Sequence, residues 1–133
     1  QELCEKAGAK LIVAYAPSKA HVVDPLVAQR LSADQVRDYM LYKKKPLDLP
    51  EGAKFTAALL ARIPNQEELM REWCERRSVP FVSLTQPLQA AVANGRQVYY
   101  TYDQHWTPMG HESAAGVIHS YLSKTLNVAA ARK

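Results

Sequence analysis

Asp103 and His105 stand two residues apart in the stretch YYTYDQHWTPMGHE, residues 99–112. Side chains two apart in an extended or turn-like segment point the same way, which brings the Asp103 carboxylate within reach of the His105 ring. A carboxylate that accepts from one ring nitrogen fixes the tautomer and leaves the other nitrogen free to take a proton. That is the base half of a nucleophilic triad. Asp-x-His alone is common by chance. Here Trp106 follows directly, then a Thr107-Pro108 helix start and a Gly110-His111 pair, and the combination is far more specific. The helix cap would hold the acid and the histidine rigidly on the scaffold.

Other chemistry-bearing side chains carry less. Ser18 lies just past the end of an apolar run, beside Lys19. Serine next to lysine lacks the three-residue offset of Ser-x-x-Lys enzymes. The pair therefore reads as shaping a loop, with Lys19 near the substrate or paired with an acid. A metal site on His105 and His111 needs a third ligand, and none is spaced to supply it, so no metal is expected. His111 reads as a packing or surface residue, His21 as a loop residue and His119 as a helix-surface residue. Tyr99, Tyr100 and Tyr102 read as core rather than as a binding stripe. Cys4 and Cys74 are far apart and lack metal-ligand spacing. Two half-buried thiols and a disulfide between neighbouring helices both fit.

The elements that must position these residues can be read in order. Residues 1–7 are the last turns of a helix stopped by Gly8. KLIVAYA (10–16) is a continuous apolar run closed by Pro17, as in a parallel strand buried on both faces. A loop with a short helical or irregular continuation follows. Ser32 and Gln35 form a capping box that starts a helix to about Leu41. Residues 43–53, with two prolines, three lysines and a glycine, read as an exposed loop. A short helix is expected over 54–62. Asn65 caps a helix to about Arg77 with Leu69, Met70, Trp73 and Cys74 on its inner face. PFVSL (80–84) is a second buried strand. Thr85 and Pro87 open a helix that Asn94-Gly95 ends, and QVYYTY (97–102) is a brief third strand. The last helix runs from Pro108 to about Leu126, with Ala114, Ala115, Ile118, Tyr121 and Leu122 at helical spacing.

This alternation implies right-handed crossovers with helices packed on a parallel sheet. Two firm strands are too few for a stable sheet of that kind, and the chain opens inside a helix. It reads as a piece of a longer polypeptide, its remaining strands supplied by other chain or by a second copy. An open apolar sheet edge would then favour self-association.

The 133 residues suit one domain, and a hydrophobic share of 47% with 23% charged residues is that of an ordinary globular protein. Net charge is +4. Apart from Lys43-Lys44-Lys45 and Arg76-Arg77 the basic residues are scattered, and neither cluster is interleaved with aromatics. A solvated face is the reading, not a nucleic-acid partner. No transmembrane run is present.

YYTYDQHWTPMGHESAAGVI resembles the last block of the SGNH/GDSL hydrolase superfamily, in the branch that reads Asp-x-His-Trp-x-x-x-Gly-His. KLIVAYAPSKAHVV is similar to that branch's strand followed by Pro-Ser-Lys, and SVPFVSLTQPLQAA to its second strand. Alginate-type O-acetyltransferases share the Pro-x-Lys and Asp-x-His-Trp elements. The resemblance implies an α/β class fold, three-layer α/β/α with a mainly parallel sheet, of which these residues are the C-terminal part. It makes His105 the general base and Asp103 its orienting acid. Trp106 becomes a packing residue behind the site, and Gly110 the point of close approach at the helix start. The substrate implied is an ester or acylated carbohydrate, in an extracytoplasmic setting. The Gly-Asp-Ser nucleophile motif is absent here. It is expected upstream, as in the commoner arrangement; in the acetyltransferase arrangement it follows the histidine block. A non-catalytic binding or assembly domain that kept the fold is the alternative.

Overall fold

Three helix ends show how strongly local stops govern this chain. In the computed structural model, which describes residues 1–41 and 50–125, α1 (Glu2–Lys6) ends where Gly8 takes φ +66°. The Ala9 N–H reaches back to the Cys4 carbonyl at 2.8 Å and that of Gly8 to Glu5 at 3.0 Å. Left-handed residues close helices in this way because they turn orphan carbonyls onto following N–H groups. Gly95 (φ +80°) closes α6 (Thr85–Ala93) likewise, as Asn94-Gly95 predicts. At the end of α5 (Asn65–Arg76) the same job falls to Ser78, whose φ is +53°.

Strands β1 (Val13–Tyr15) and β2 (Phe81–Ser83) pair in parallel, Val13 with Phe81, Ala14 with Val82 and Tyr15 with Ser83. Both are shorter than the apolar runs that announce them. Ala14 is exposed and its neighbours are half-buried, so β1 is not covered on both faces among the described residues. QVYYTY forms no strand. Tyr99 instead makes an isolated antiparallel bridge to Trp106, closing a hairpin whose loop carries residues 100–105. Tyr99 joins the core, but Tyr100 and Tyr102 face solvent, which corrects the reading of all three as core.

The core gathers on β2. Val82, Leu84, Leu88, Ala91, Val98, Tyr99 and Ala114 form one buried cluster with Val22 from α2 (Lys19–Ala28). Helices α2 and α6 pack together, and α7 (Pro108–Thr125) lies on α6. On α7, Ala114 is buried and Ile118, Tyr121 and Leu122 are half-buried, whereas Ala115 is exposed. Leu126 lies outside the described residues.

Helix α2 contains Pro25, which has no N–H to offer the His21 carbonyl one turn back. The Gln89 side-chain amide of α6 supplies the missing donor at 3.3 Å. Helix α3 (Ala33–Leu41) starts at the capping box the sequence shows: the Gln35 N–H donates to Ser32 Oγ at 3.2 Å, and the Ser32 N–H to Gln35 Oε1 at 2.8 Å. It pairs with α4 (Gly52–Arg62). The expected exposed loop is shorter at this end than 43–53, because Gly52 begins α4 and is buried against Asp34. A Cβ there would fall 2.8 Å from the Asp34 Cα. Residues 43–49 of that loop lie outside the described residues.

Helix α5 buries Cys74 and half-buries Trp73, as its apolar residues suggest, but Leu69 and Met70 are exposed and Glu67 is buried. The reason is that Glu67 is fully partnered inside, as set out below. Cys4 and Cys74 are both free thiols, so the disulfide alternative falls.

Candidate active site

The last block of the sequence is built on a rigid base. Thr107 is buried and caps α7: its Oγ1 accepts from the Gly110 N–H at 3.2 Å and donates to the Gln97 carbonyl. Gly110 has no room for a side chain, since a Cβ would sit 2.2 Å from the Val98 carbonyl oxygen and 3.0 Å from the Trp106 Cβ. Trp106 is half-buried against the core cluster and packs edge-on to the His111 ring, centroids 5.4 Å apart. An Arg96–Glu112 ion pair ties the hairpin base to the start of α7. Across the hairpin the Thr107 N–H donates to Val98 O at 3.0 Å, and the Tyr100 N–H to His105 O at 3.2 Å.

On this base the structure brings Asp103 and His105 into contact. Asp103 Oδ1 accepts from the His105 backbone N–H at 2.6 Å and also meets His105 Nδ1. A carboxylate in that position selects the tautomer with hydrogen on Nδ1, which leaves Nε2 as the acceptor. The bond from the His105 N–H, and then that from its ring, holds the Asp103 carboxyl below the ordinary carboxylate range. The ion is thus available wherever the imidazole has to be stabilised as a cation. The His105 side chain is 85% exposed and that of Asp103 52%, so the pair stands on the surface, open to a reacting partner.

Residues 1–133 match the family described as SGNH hydrolase-like domain, acetyltransferase AlgX. The chain belongs to this family. No curated protein and no solved structure matches it. Helices around a small parallel sheet are consistent with the α/β/α fold of an SGNH hydrolase-like domain.

In this SGNH hydrolase-like chain Ser18 serves as the N-cap of α2, its Oγ accepting from the His21 N–H at 3.2 Å. Lys19, one residue on, reaches across to the hairpin loop. Its Nζ donates to the carbonyls of Tyr100 at 2.9 Å and Thr101 at 2.7 Å, with that of Asp103 at 3.5 Å. The structure therefore joins Lys19 to the loop that carries Asp103 and His105, while the described side-chain bond of Ser18 stays within α2. His119 is exposed on α7, as expected. Among the described residues no group of three or more His, Cys, Asp or Glu is placed to hold a metal ion.

A second polar cluster escapes a reading by sequence. His21 is not a loop residue: it is buried in α2, where Nδ1 meets the Tyr15 hydroxyl at 3.2 Å and Nε2 faces Glu67 Oε2 at 3.5 Å. The Thr85 hydroxyl donates to Glu67 Oε2 at 2.5 Å, and Arg71 pairs with Oε1 at 2.8 Å. Burial pushes the Glu67 carboxyl up, but hydrogen bonds from Ser83 and Thr85 and the Arg71 charge outweigh it and hold the group below its ordinary value. Burial lowers His21 against the pull of Glu67, which keeps the ring neutral at pH 7. The cluster sits at the carboxyl ends of both strands, beside a cavity of about 970 Å³. Its members satisfy one another, and that is why Glu67 can occupy an inward position of α5. A glutamate seven residues before Cys74, on the same helix face, was the available signal.

Proposed function

We propose that the chain carries the acid–base half of a serine acyl-transfer site acting on esters, with acylated carbohydrates as the substrate class. The contact of Asp103 Oδ1 with both His105 nitrogens, backbone N–H and Nδ1, supports this reading above all. His105 Nε2 takes the proton of a serine hydroxyl as its oxygen attacks the ester carbonyl. Asp103 stabilises the imidazolium, and the tetrahedral intermediate collapses as His105 returns the proton to the departing alcohol. In the second half His105 deprotonates the acceptor, an alcohol for transfer or water for hydrolysis, and the acyl group leaves the serine. The Ser-His-Asp chemistry needs no metal or organic cofactor.

The described hydrogen bonds of His105 run to Asp103 and Tyr100, and no serine of the sequence follows Gly-Asp. The nucleophile and oxyanion donors then come from polypeptide other than these 133 residues. Membership of an acetyltransferase family weighs toward the arrangement in which the serine follows the histidine block. The test is turnover of an aryl acetate by the complete polypeptide and by residues 1–133 alone. Activity in the complete protein only, lost in His105→Ala, is the expected result. Turnover by the 133-residue chain that His105→Ala abolishes would point to a nucleophile within it. A complete protein with no acyl-enzyme and no turnover would favour a binding or assembly domain that keeps the fold.

A further inference from the structure

We propose that Lys19 is a positioning residue for the Asp103–His105 pair, clamping the hairpin loop that carries them to the first turn of α2. The inference rests on the acid–base reading above and adds to it a residue that touches neither reactant.

The loop has little else to hold it. Tyr100, Thr101, Tyr102, Asp103, Gln104 and His105 are all exposed, so no apolar burial fixes their backbone. Within the hairpin, the Tyr100 N–H bonds to His105 O, and the Gln97 side chain reaches Thr101 Oγ1 at 3.1 Å. Those bonds are local. The described side-chain tie from another element is the Lys19 ammonium, which gathers the carbonyls of residues 100, 101 and 103 at 2.9, 2.7 and 3.5 Å. An ammonium is a compact charge with three donors, suited to carbonyls that converge from one turn of chain; a planar guanidinium is not. At the residue before the loop, the buried Tyr99 hydroxyl donates to the Pro17 carbonyl at 2.8 Å. Pro17-Ser18-Lys19 and the hairpin are thus stapled at two points.

Position argues the same way. Lys19 is the first residue of α2, whose first turn carries no acid. A cation there opposes the helix dipole and costs stability. Its described hydrogen-bond partners are all carbonyl oxygens of the loop, which offset that cost. The arrangement sets the height of the Asp103–His105 turn above the end of β1.

Hydrogen–deuterium exchange on the complete polypeptide tests this without using activity. Lys19→Met should speed exchange across 99–105 by about 10- to 100-fold, the range set by charge-assisted bonds, while α6 (85–93) keeps its protection. Lys19→Arg, which keeps the charge but not the geometry, should fall between. In turnover assays Lys19→Met should lower kcat with little change in KM, since a displaced base costs the chemical step rather than binding. Unchanged exchange over 99–105 in Lys19→Met would overturn the proposal, as would equal loosening of α6. A raised KM with normal exchange would overturn it in favour of direct substrate contact. Full activity in His105→Ala would refute the acid–base reading while leaving the exchange result standing.

Discussion

Asp24 offers the sharpest quantitative test of the first turn of α2 and its surroundings. The residue is 5% exposed, and its Oδ2 has no hydrogen-bond partner. Burial pushes its carboxyl up from 3.8 to about 6, with the Lys19 charge pulling the other way. An acid whose pKa rises on folding binds its proton more tightly in the native state, so stability is full below pH 3.8 and falls as pH climbs to about 6. At about 1.4 kcal/mol for each pH unit of displacement, the ionised form costs about 3 kcal/mol at neutral pH. Asp24→Asn removes that charge and keeps the shape. Urea unfolding at pH 4 and pH 8 should show the variant level with the parent at pH 4 and about 2–3 kcal/mol more stable at pH 8, with unchanged m. Lys19→Met should move the parent's transition to higher pH, because an attractive charge is gone. A difference independent of pH, or one that opens toward acid, would refute the reasoning.

Gly110→Ala should lower stability by about 2–3 kcal/mol, read as a loss in Tm, because its methyl meets the Val98 carbonyl, which cannot move without disturbing the hairpin. Asp103→Asn should reduce kcat by about 10²- to 10⁴-fold in the complete protein by releasing the ring tautomer. Since the Asp103 carboxyl is held below the ordinary carboxylate range, the parent's pH–rate profile should show no protonation step near pH ~4, and one there would show that Asp103 is not held down. Light scattering on the 133-residue chain should show mass rising with concentration, because among the described residues β1 and β2 pair only with each other and their outer edges are open. A strictly monomeric, cooperatively unfolding species would show that the edges are covered.

The legible parts of the sequence were those whose causes are local. Ser32 with Gln35, Gly8, Asn94-Gly95 and Thr107-Pro108 each act within one helical turn, and the structure places each where spacing predicts. Asp103 and His105 belong with them, since two residues apart is itself a local relation. The misread parts depend on partners distant in sequence. Glu67 turns inward because Thr85 and His21 are there to receive it, and α5 rotates Leu69 and Met70 outward in consequence. QVYYTY has strand composition, but only Tyr99 finds a pairing partner, and that partner is Trp106 within the same block. Lys19 could be placed beside a strand end from the sequence, but not across from residues 100–103, more than eighty positions on.

The gap that Pro25 leaves in α2 bears on the order in which the chain assembles. A ten-residue helix interrupted by proline has little tendency to form alone. The donor that repairs it arrives from Gln89, sixty-eight residues after His21, once α6 has docked. The expected order therefore has β2 and α6, where Leu84 and Leu88 are local in sequence, forming first and α2 condensing onto them afterwards. Lys19, at the start of that helix, can grip the hairpin only after both have formed. Pro25→Ala, which lets α2 close its own ladder, should on this order slow unfolding and leave the folding rate unchanged, and faster folding would argue for an early α2. On this order the tie from Lys19 to the loop of residues 100–103 is made only after α2 has docked, late in folding.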